Sequence, residues 1–238
     1  TRNILERSDL NTVGLTEQIR TSHDGARCFV QYNLPAHTYQ TGDGDTASLS
    51  LLSTSSFDGT WPFMISVAAV QSACTNLQVF VSGEVAIYKA KHTQSLDIEH
   101  GANIIVKSLD VFNRERELWQ QWQGQKVCDM EAFLFFADAL NVNINTGGLD
   151  VGYSPADVIH NLKRRNENLN YIWRVYTAVY KNRLGSNYWA VYNAMTDWST
   201  HFGVVRQSSE RNIASIQNDR QQVIRQAVSS NSVLRLAA

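Results

Sequence analysis

The sequence has few of the residues from which disulfide-linked or metal-held folds are built. Its three cysteines, Cys28, Cys74 and Cys128, are odd in number and widely spaced, and no C-x-x-C pair occurs. This pattern excludes a disulfide framework and a cysteine-based zinc site, and it favours a reducing compartment. The six histidines include no H-x-x-x-H pair, so we predict no metal centre.

Long apolar runs, an excess of charge and nucleotide-binding loops are also lacking. No apolar run approaches the roughly 18 to 20 residues that span a bilayer, and no signal peptide is recognisable. We therefore predict no membrane partner, and no cofactor, because neither standard glycine-rich phosphate loop occurs. The net charge of −1 means that any nucleic-acid binding must rest on a local basic patch. The chain starts at Thr1 without a Met, which we interpret as a trimmed start.

Up to about residue 100, short apolar segments alternate with Gly, Asp, Ser and Asn, which is typical of strands and turns. The predicted strands are 26–34, 46–56, 62–74, and two within 77–93 around Ser82-Gly83. Periodicity leaves open whether 62–74 is a strand or a buried helix. The Asp-Gly pairs at 24–25 and 58–59 predict hairpin turns, which explains both aspartates without catalysis.

After residue 100 the spacing of apolar residues becomes helical. The predicted helices are 105–124, 129–140, 155–185, 187–202 and 208–228, followed by a mobile or partner-binding tail at 229–238. Asp129 is the predicted cap of the second helix, and Ser154, followed by Pro155 and Asp157, caps the third. The predicted class is therefore α+β, with an antiparallel sheet region in 1–100 and a helical region in 101–238, packed as one globular unit.

Two candidates for catalysis occur, and each has a simpler structural explanation. Cys74 could be a nucleophile with His92 or His201 as its base, but its apolar flanks favour a buried structural cysteine. Asp43 and Asp45 could bind a cation, but the run is too short for a calcium loop and favours a solvated turn. We therefore predict no catalytic residue and a protein that is not an enzyme.

The strongest local signal for a partner is the segment 160–189, in which cations alternate with aromatic residues. Cations that follow a phosphate backbone, together with aromatic rings that stack on bases, are typical of proteins that bind single-stranded nucleic acid. The predicted phosphate contacts are Lys163, Arg164, Arg165, Lys181, Arg183, Lys89 and Lys91, and either Tyr188 or Trp189 is predicted to stack on a base. The alternative is a helix with a charged outer face and an aromatic inner face.

Four motifs occur in a fixed order along the chain: "SFDGTWPF" (56–63), "CTN" (74–76), "KHT" (91–93) and "WAVYNAMTDWSTH" (189–201). In this order they resemble the uncharacterised phage/plasmid-like protein family, which is encoded mainly by bacteriophages and plasmids. The resemblance covers most of residues 20–202. It also leads us to expect a cation shortly before the C-x-N motif, where this chain has Gln71.

The resemblance implies a phage context, hence the cytoplasm of a bacterial host, and a sheet followed by helices is similar to single-strand annealing recombination proteins. The first hypothesis is therefore an oligomer that binds, and in its fuller form anneals, single-stranded DNA, acting in recombination or replication. The second is a structural or interaction protein of a phage, either a virion component or a host-takeover factor, which the near-zero charge favours. The third is an enzyme centred on Cys74 or on Asp43 and Asp45.

Overall fold

The structure is a computed structural model that describes residues 1–8, 10–41, 44–72, 76–80, 87–91, 97–147, 152–203 and 219–231. Several residues singled out from the sequence lie outside these ranges: they are Asp43, Cys74, Ser82, Gly83 and His92. The strands are β1 Thr16–Ser22, β2 Arg27–Gln40, β3 Thr46–Ser56, β4 Phe63–Gln71, β5 Leu77–Val79 and β6 Ile87–Ala90. The helices are α1 Arg2–Arg7, α2 Ile98–Gly124, α3 Asp129–Ala139, α4 Pro155–Arg165, α5 Glu167–Val175, α6 Lys181–Leu184, α7 Tyr188–His201 and α8 Asp219–Ser230.

The six strands form one antiparallel sheet in the order β1-β2-β3-β4-β5, and β6 pairs with β4. Both Asp-Gly pairs lie in connections between neighbouring strands, as predicted: Gly25 and Gly59 adopt φ values of +86° and +71°, which glycine tolerates best. The segment 62–74 contributes a strand, β4, and not a helix. The register of β2 shifts between Leu34 and Thr38, next to Pro35, which has no N–H to donate to a neighbouring strand.

The α+β class is confirmed, because the sheet packs one face against the helical half. Alternate residues of β2, β3 and β4 share this face, since Tyr32 lies opposite Leu51 and Leu51 lies opposite Val67. They join a core with the buried aromatic residues of α2, including Trp119 and Trp122. The opposite face of the sheet carries a second, smaller apolar cluster of Phe29, Leu52, Ala68 and Leu77.

Of the two predicted N-terminal caps, the one at Ser154 is confirmed and the one at Asp129 is wrong. Ser154 caps α4 as predicted, and its side chain accepts a hydrogen bond from the Asp157 N–H. In α3, however, the cap is Cys128 and not Asp129. The Cys128 sulfur accepts from the Glu131 N–H, and the Glu131 carboxylate accepts from the Cys128 N–H at 2.8 Å. This reciprocal pair satisfies two helix-end donors, although cysteine is a weak acceptor.

The single helix predicted over 155–185 is also wrong, because the chain breaks it at Asn166. The backbone of Asn166 is extended (φ −137°, ψ 108°), and its side chain accepts from the Leu169 N–H at 3.0 Å. Asn166 therefore ends α4 and caps α5. Beyond α5, residues Tyr176–Tyr180 form a single π-helical segment before α6. Gly185 follows α6 with φ +86°, so the predicted end of the segment is confirmed.

The helices 105–124 and 187–202 are confirmed in type and end. Helix α2 ends at Gly124 as predicted, but it begins earlier, at Ile98, because Asp97 caps it by accepting from the His100 N–H. Helix α7 begins after Asn187, whose side chain accepts from the Ala190 N–H. Of the predicted helix 208–228, residues from Asp219 are described and are helical, to Ser230. Among the described residues, no helix is long and apolar enough to cross a membrane.

Candidate nucleic-acid interface and a buried polar network

The basic cluster at the end of α4 is exposed in the way that phosphate binding requires. Arg164 and Arg165 are exposed and Lys163 is half-buried, while Val158 and Leu162 hold the other side of α4 in the core. Lys163 and Arg164 form no ion pair with any residue that the structure describes. The three cations also lie at the negative end of the helix dipole, which stabilises positive charge there without any ligand.

Two further predicted phosphate contacts are already engaged by carboxylates of the chain. The Lys181 ammonium lies 2.6 Å from Oδ1 and 2.8 Å from Oδ2 of Asp129. One guanidinium nitrogen of Arg183 lies 3.9 Å from Asp45 Oδ2, and the guanidinium covers the ring of Tyr180. These two cations therefore contribute less positive field than their number suggests.

The two predicted stacking residues differ in their exposure to solvent. Trp189 is 1% exposed and packs against Trp119 and Tyr192, with ring centroids 5.3 Å and 5.7 Å away. A base cannot reach this ring, so the prediction that Trp189 stacks a base is wrong. Tyr188 is only half-buried and remains accessible in part. Burial, with the nearby Glu131 and Cys128 charges, raises the pKa of Tyr188.

Lys89 and Lys91 are exposed, but they lie on a different part of the fold from α4. Lys89 belongs to β6, which pairs with β4 and packs on α2. Helix α4 packs on α5 and on the short 3₁₀ turn Ile144–Gly147. None of the principal packing contacts among the described elements joins the two basic clusters.

The structure does bring together two of the four sequence motifs, around Asn76. This side chain is fully buried, and its amide group donates to the Tyr180 hydroxyl at 2.7 Å and to the Asn193 carbonyl at 3.3 Å. The ring of His201 donates from Nε2 to Asn76 Oδ1 at 3.0 Å. The N–H of the next residue, Leu77, donates to the Thr200 hydroxyl at 3.1 Å. The C-x-N motif is therefore fixed by the motif of α7.

Two glutamines extend this network from the sheet to α7. The Gln78 amide donates to Gln71 Oε1 and to Asn193 Oδ1, both at 3.1 Å. Asn193 is oriented in turn by donating to the Trp189 carbonyl at 2.8 Å. Gln71, which stands where a cation was expected from the resemblance, is fully buried. It acts in this chain as a neutral member of the network.

The π-helical segment places Tyr180 at the centre of a second set of bonds. The Tyr180 hydroxyl accepts from Asn76 and donates to Asp197 Oδ2 at 2.7 Å. The other carboxylate oxygen of Asp197 accepts from the Tyr171 hydroxyl, also at 2.7 Å. Single π-helical turns inside helices are often found at functional sites. Sequence reasoning missed this network, although two of its asparagines, Asn76 and Asn193, lie within the motifs.

The candidates for catalysis are held in structural roles where they are described. Asp45 accepts from the Thr46 N–H at 2.8 Å and from the Ser72 hydroxyl, and it faces Arg183. Asp45 therefore stabilises the turn between β2 and β3, as predicted, but the turn is not solvated at this position, because the Asp45 side chain is only 7% exposed. His201 is bonded to Asn76. Within the described ranges, no group of three or more His, Cys, Asp or Glu residues could hold a metal ion.

A polar cleft of about 290 Å³ lies on the sheet face that carries Phe29 and Leu52. Its lining includes Gln18, Arg20, Gln31, Asn33, Ser48 and Ser72. Arg20 donates to Gln18 at 3.2 Å and to Gln31 at 3.4 Å, and Gln31 donates to Asn33 at 2.7 Å. We call this cavity the sheet cleft. The polar side chains of Gln18, Arg20, Gln31 and Asn33 hydrogen-bond to one another along it, and Arg20 is the single cation among the lining residues named above.

The fold and these sites define an α+β domain in which helices cover one face of an antiparallel sheet and a buried amide network joins the two. Residues 1–219 match the model of a family described as Domain of unknown function (DUF932), and the chain belongs to this family. The predicted membership of an uncharacterised domain family is thereby confirmed. Comparisons with curated proteins and with solved structures find no significant match.

Proposed function

We propose that the protein is a non-enzymatic, phage-type protein that binds single-stranded DNA and assembles with copies of itself. The observation that carries the proposal is the exposed basic last turn of α4, where Lys163 and Arg164 are free of carboxylate partners in the described chain. The cytoplasm of a bacterial host rests on the resemblance to the phage/plasmid-like family. Strand annealing and a role in recombination or replication rest on an analogy, at the level of fold, with single-strand annealing recombination proteins.

In this proposal the phosphate backbone meets α4 first. Lys163, Arg164 and Arg165 are consecutive, so their side chains spread around the end of the helix and can contact neighbouring phosphates. Tyr188 supplies the stacking ring, since Trp189 is buried. Lys181 and Arg183 contribute only if a phosphate displaces Asp129 and Asp45.

The test measures the affinity for a labelled single-stranded oligonucleotide by fluorescence anisotropy, over a series of salt concentrations. Replacing Lys163, Arg164 and Arg165 together by Glu is expected to abolish binding at moderate salt and to lower the slope of log Kd against log salt by about 3. A matched control replaces the exposed Arg7, Lys107 and Arg114 by Glu, which changes the charge equally. Equal losses in both variants, or no binding by the wild type at low salt, would contradict the proposal.

A second candidate is a structural or interaction protein of a phage. It is favoured by the ion pairs of Lys181 and Arg183 and by a net charge of −1, which leave little field for DNA. It predicts a defined assembly in the absence of nucleic acid. Sizing in high salt, with absorbance at 260 nm recorded, separates the two candidates, because an assembly that needs nucleic acid argues against this one.

A further inference from the structure

Strand β1 is at the edge of the sheet and is exposed on its outer side. Within the described residues it pairs with β2 alone. Thr16, Glu17, Gln18 and Ile19 are all exposed, and Ile19 is exposed by 63%. An edge strand carries backbone N–H and C=O groups that can pair with another strand, and an exposed apolar residue adds to that tendency. The charged Glu17 and Arg20 restrict which strand can pair there.

We propose that β1 pairs in antiparallel fashion with β1 of a second copy of this chain, with Ile19 opposite Ile19 across a two-fold axis normal to the sheet. This deepens the self-assembly part of the proposed function and rests on that part. A two-fold axis of this kind keeps the faces of the two sheets aligned, because opposite residues in an antiparallel pair point to the same side. The two-fold axis therefore allows only registers in which one residue of β1 lies opposite the same residue of the second copy; we describe such a register as centred on that residue.

The side chains of β1 favour the register centred on Ile19. In it, the two exposed isoleucines meet, and Gln18 of each copy lies opposite Arg20 of the other, which repeats the hydrogen bond that these residues form within one chain at 3.2 Å. A register centred on Arg20 would place two arginines opposite each other, which is destabilising. A register centred on Gln18 would place Ile19 opposite Glu17 and leave the apolar side chains apart.

The pairing also changes the sheet cleft. Gln18 and Arg20 line the cleft and lie at its outer edge, on β1. Pairing about Ile19 brings the same two residues of the second copy to that edge, on the same face of the sheet. Two separate clefts then adjoin as one groove that carries two arginines, which doubles its positive charge. Each chain thus completes the cleft of the other.

The experiment uses sedimentation velocity on the full chain without nucleic acid. We expect the wild type to be a dimer, or an assembly built from dimers, and Ile19→Lys and Ile19→Glu each to halve its mass, because like charges meet at the axis. An equimolar mixture of the two variants is expected to recover the wild-type mass. Val13→Lys is the control, since Val13 is exposed by 76% and precedes β1. Circular dichroism and thermal melting confirm that each variant is folded.

The inference is overturned if the wild type is monomeric at all concentrations, or if Ile19→Lys assembles as the wild type does. It is equally overturned if the mixture stays monomeric, because another register must then hold the copies together. These outcomes are distinguishable from a failure of the proposed DNA binding. A dimer that dissociates in Ile19→Lys but binds no oligonucleotide supports the interface and contradicts DNA binding.

Discussion

The side-chain amide of Asn76 donates a 2.7 Å hydrogen bond to the hydroxyl of Tyr180, which lies 104 residues further along the chain. The same side chain also contacts the Asn193 carbonyl and the His201 ring. Because Asn76 immediately precedes β5, these bonds attach the sheet to the π-helical segment and to α7. The arrangement is therefore a junction between the two halves of the fold, and we expect it to contribute to the free energy of unfolding.

Replacing Asn76 by Ala is expected to destabilise the protein by about 3 kcal/mol, because it leaves the buried Tyr180 hydroxyl and Asn193 carbonyl, and the half-buried His201 ring, without this partner. Urea unfolding, followed by circular dichroism, measures the difference. Asn182→Ala is the matched control, since Asn182 is exposed and its side chain donates to the Ala178 carbonyl, four residues earlier in the chain. Its effect should stay within about 0.5 kcal/mol. Similar losses in the two variants would show that the junction adds no stability.

Tyr180→Phe should cost about 1–3 kcal/mol, because Asp197 Oδ2 and the Asn76 amide both lose a partner in a buried site. If the contacts act as one network, the double variant with Asn76→Ala will be more stable than the sum of the single effects implies. A double-mutant cycle by urea unfolding should then give a coupling of about 1 kcal/mol or more. Strict additivity would mean that the two side chains stabilise the fold independently.

The sequence predicted the features that depend on neighbouring residues. The hairpin turns at Asp24 and Asp58 and the cap at Ser154 follow from local chemistry, and each was found. The break at Asn166 was also local, but a continuous apolar spacing on both sides hid it. The junction at Asn76 could not be predicted, because its partners lie more than 100 residues away and no local pattern pairs them.

Trp189 shows why the candidate interface was only partly predictable. Helix α7 buries consecutive residues from Trp189 to Thr196, so every side of it faces protein. A helix that is largely apolar all round is a central helix, and this pattern was readable from the sequence. The ion pairs of Lys181 and Arg183 could not be predicted from the sequence, since they join these cations to Asp129 and Asp45 in distant segments.

If single-stranded DNA binds at the candidate interface and reaches Lys181, breaking the ion pair between Lys181 and Asp129 should strengthen DNA binding. Asp129→Asn removes the carboxylate that lies 2.6 Å from the ammonium, and the freed cation can contact one more phosphate. The slope of log Kd against log salt is then expected to steepen by about 1. Asp138→Asn, an exposed position on the same helix, controls for the change in net charge. An equal effect of both substitutions would assign the gain to the overall field and not to Lys181.

The stability of the protein should fall between about pH 10 and pH 12, partly because of Tyr176. Burial, with the nearby charges of Asp129 and Cys128, raises the pKa of Tyr176 to about 12. An unfolded tyrosine ionises near pH 10, so the folded state holds the phenol proton through this interval while the unfolded state loses it. The contribution is therefore complete below about pH 10 and is lost as the pH rises towards 12.

Tyr176→Phe removes this proton equilibrium from both states, so its free energy of unfolding should decline less steeply above pH 10 than that of the wild type. Urea unfolding at a series of pH values from 9 to about 12 measures the two slopes. Other tyrosines with a raised pKa, such as Tyr32, are present in both proteins and cancel in the comparison. Tyr153→Phe, at a position exposed by 54%, should follow the wild type. Parallel curves for the wild type and Tyr176→Phe would mean that this phenol ionises equally in the folded and unfolded states.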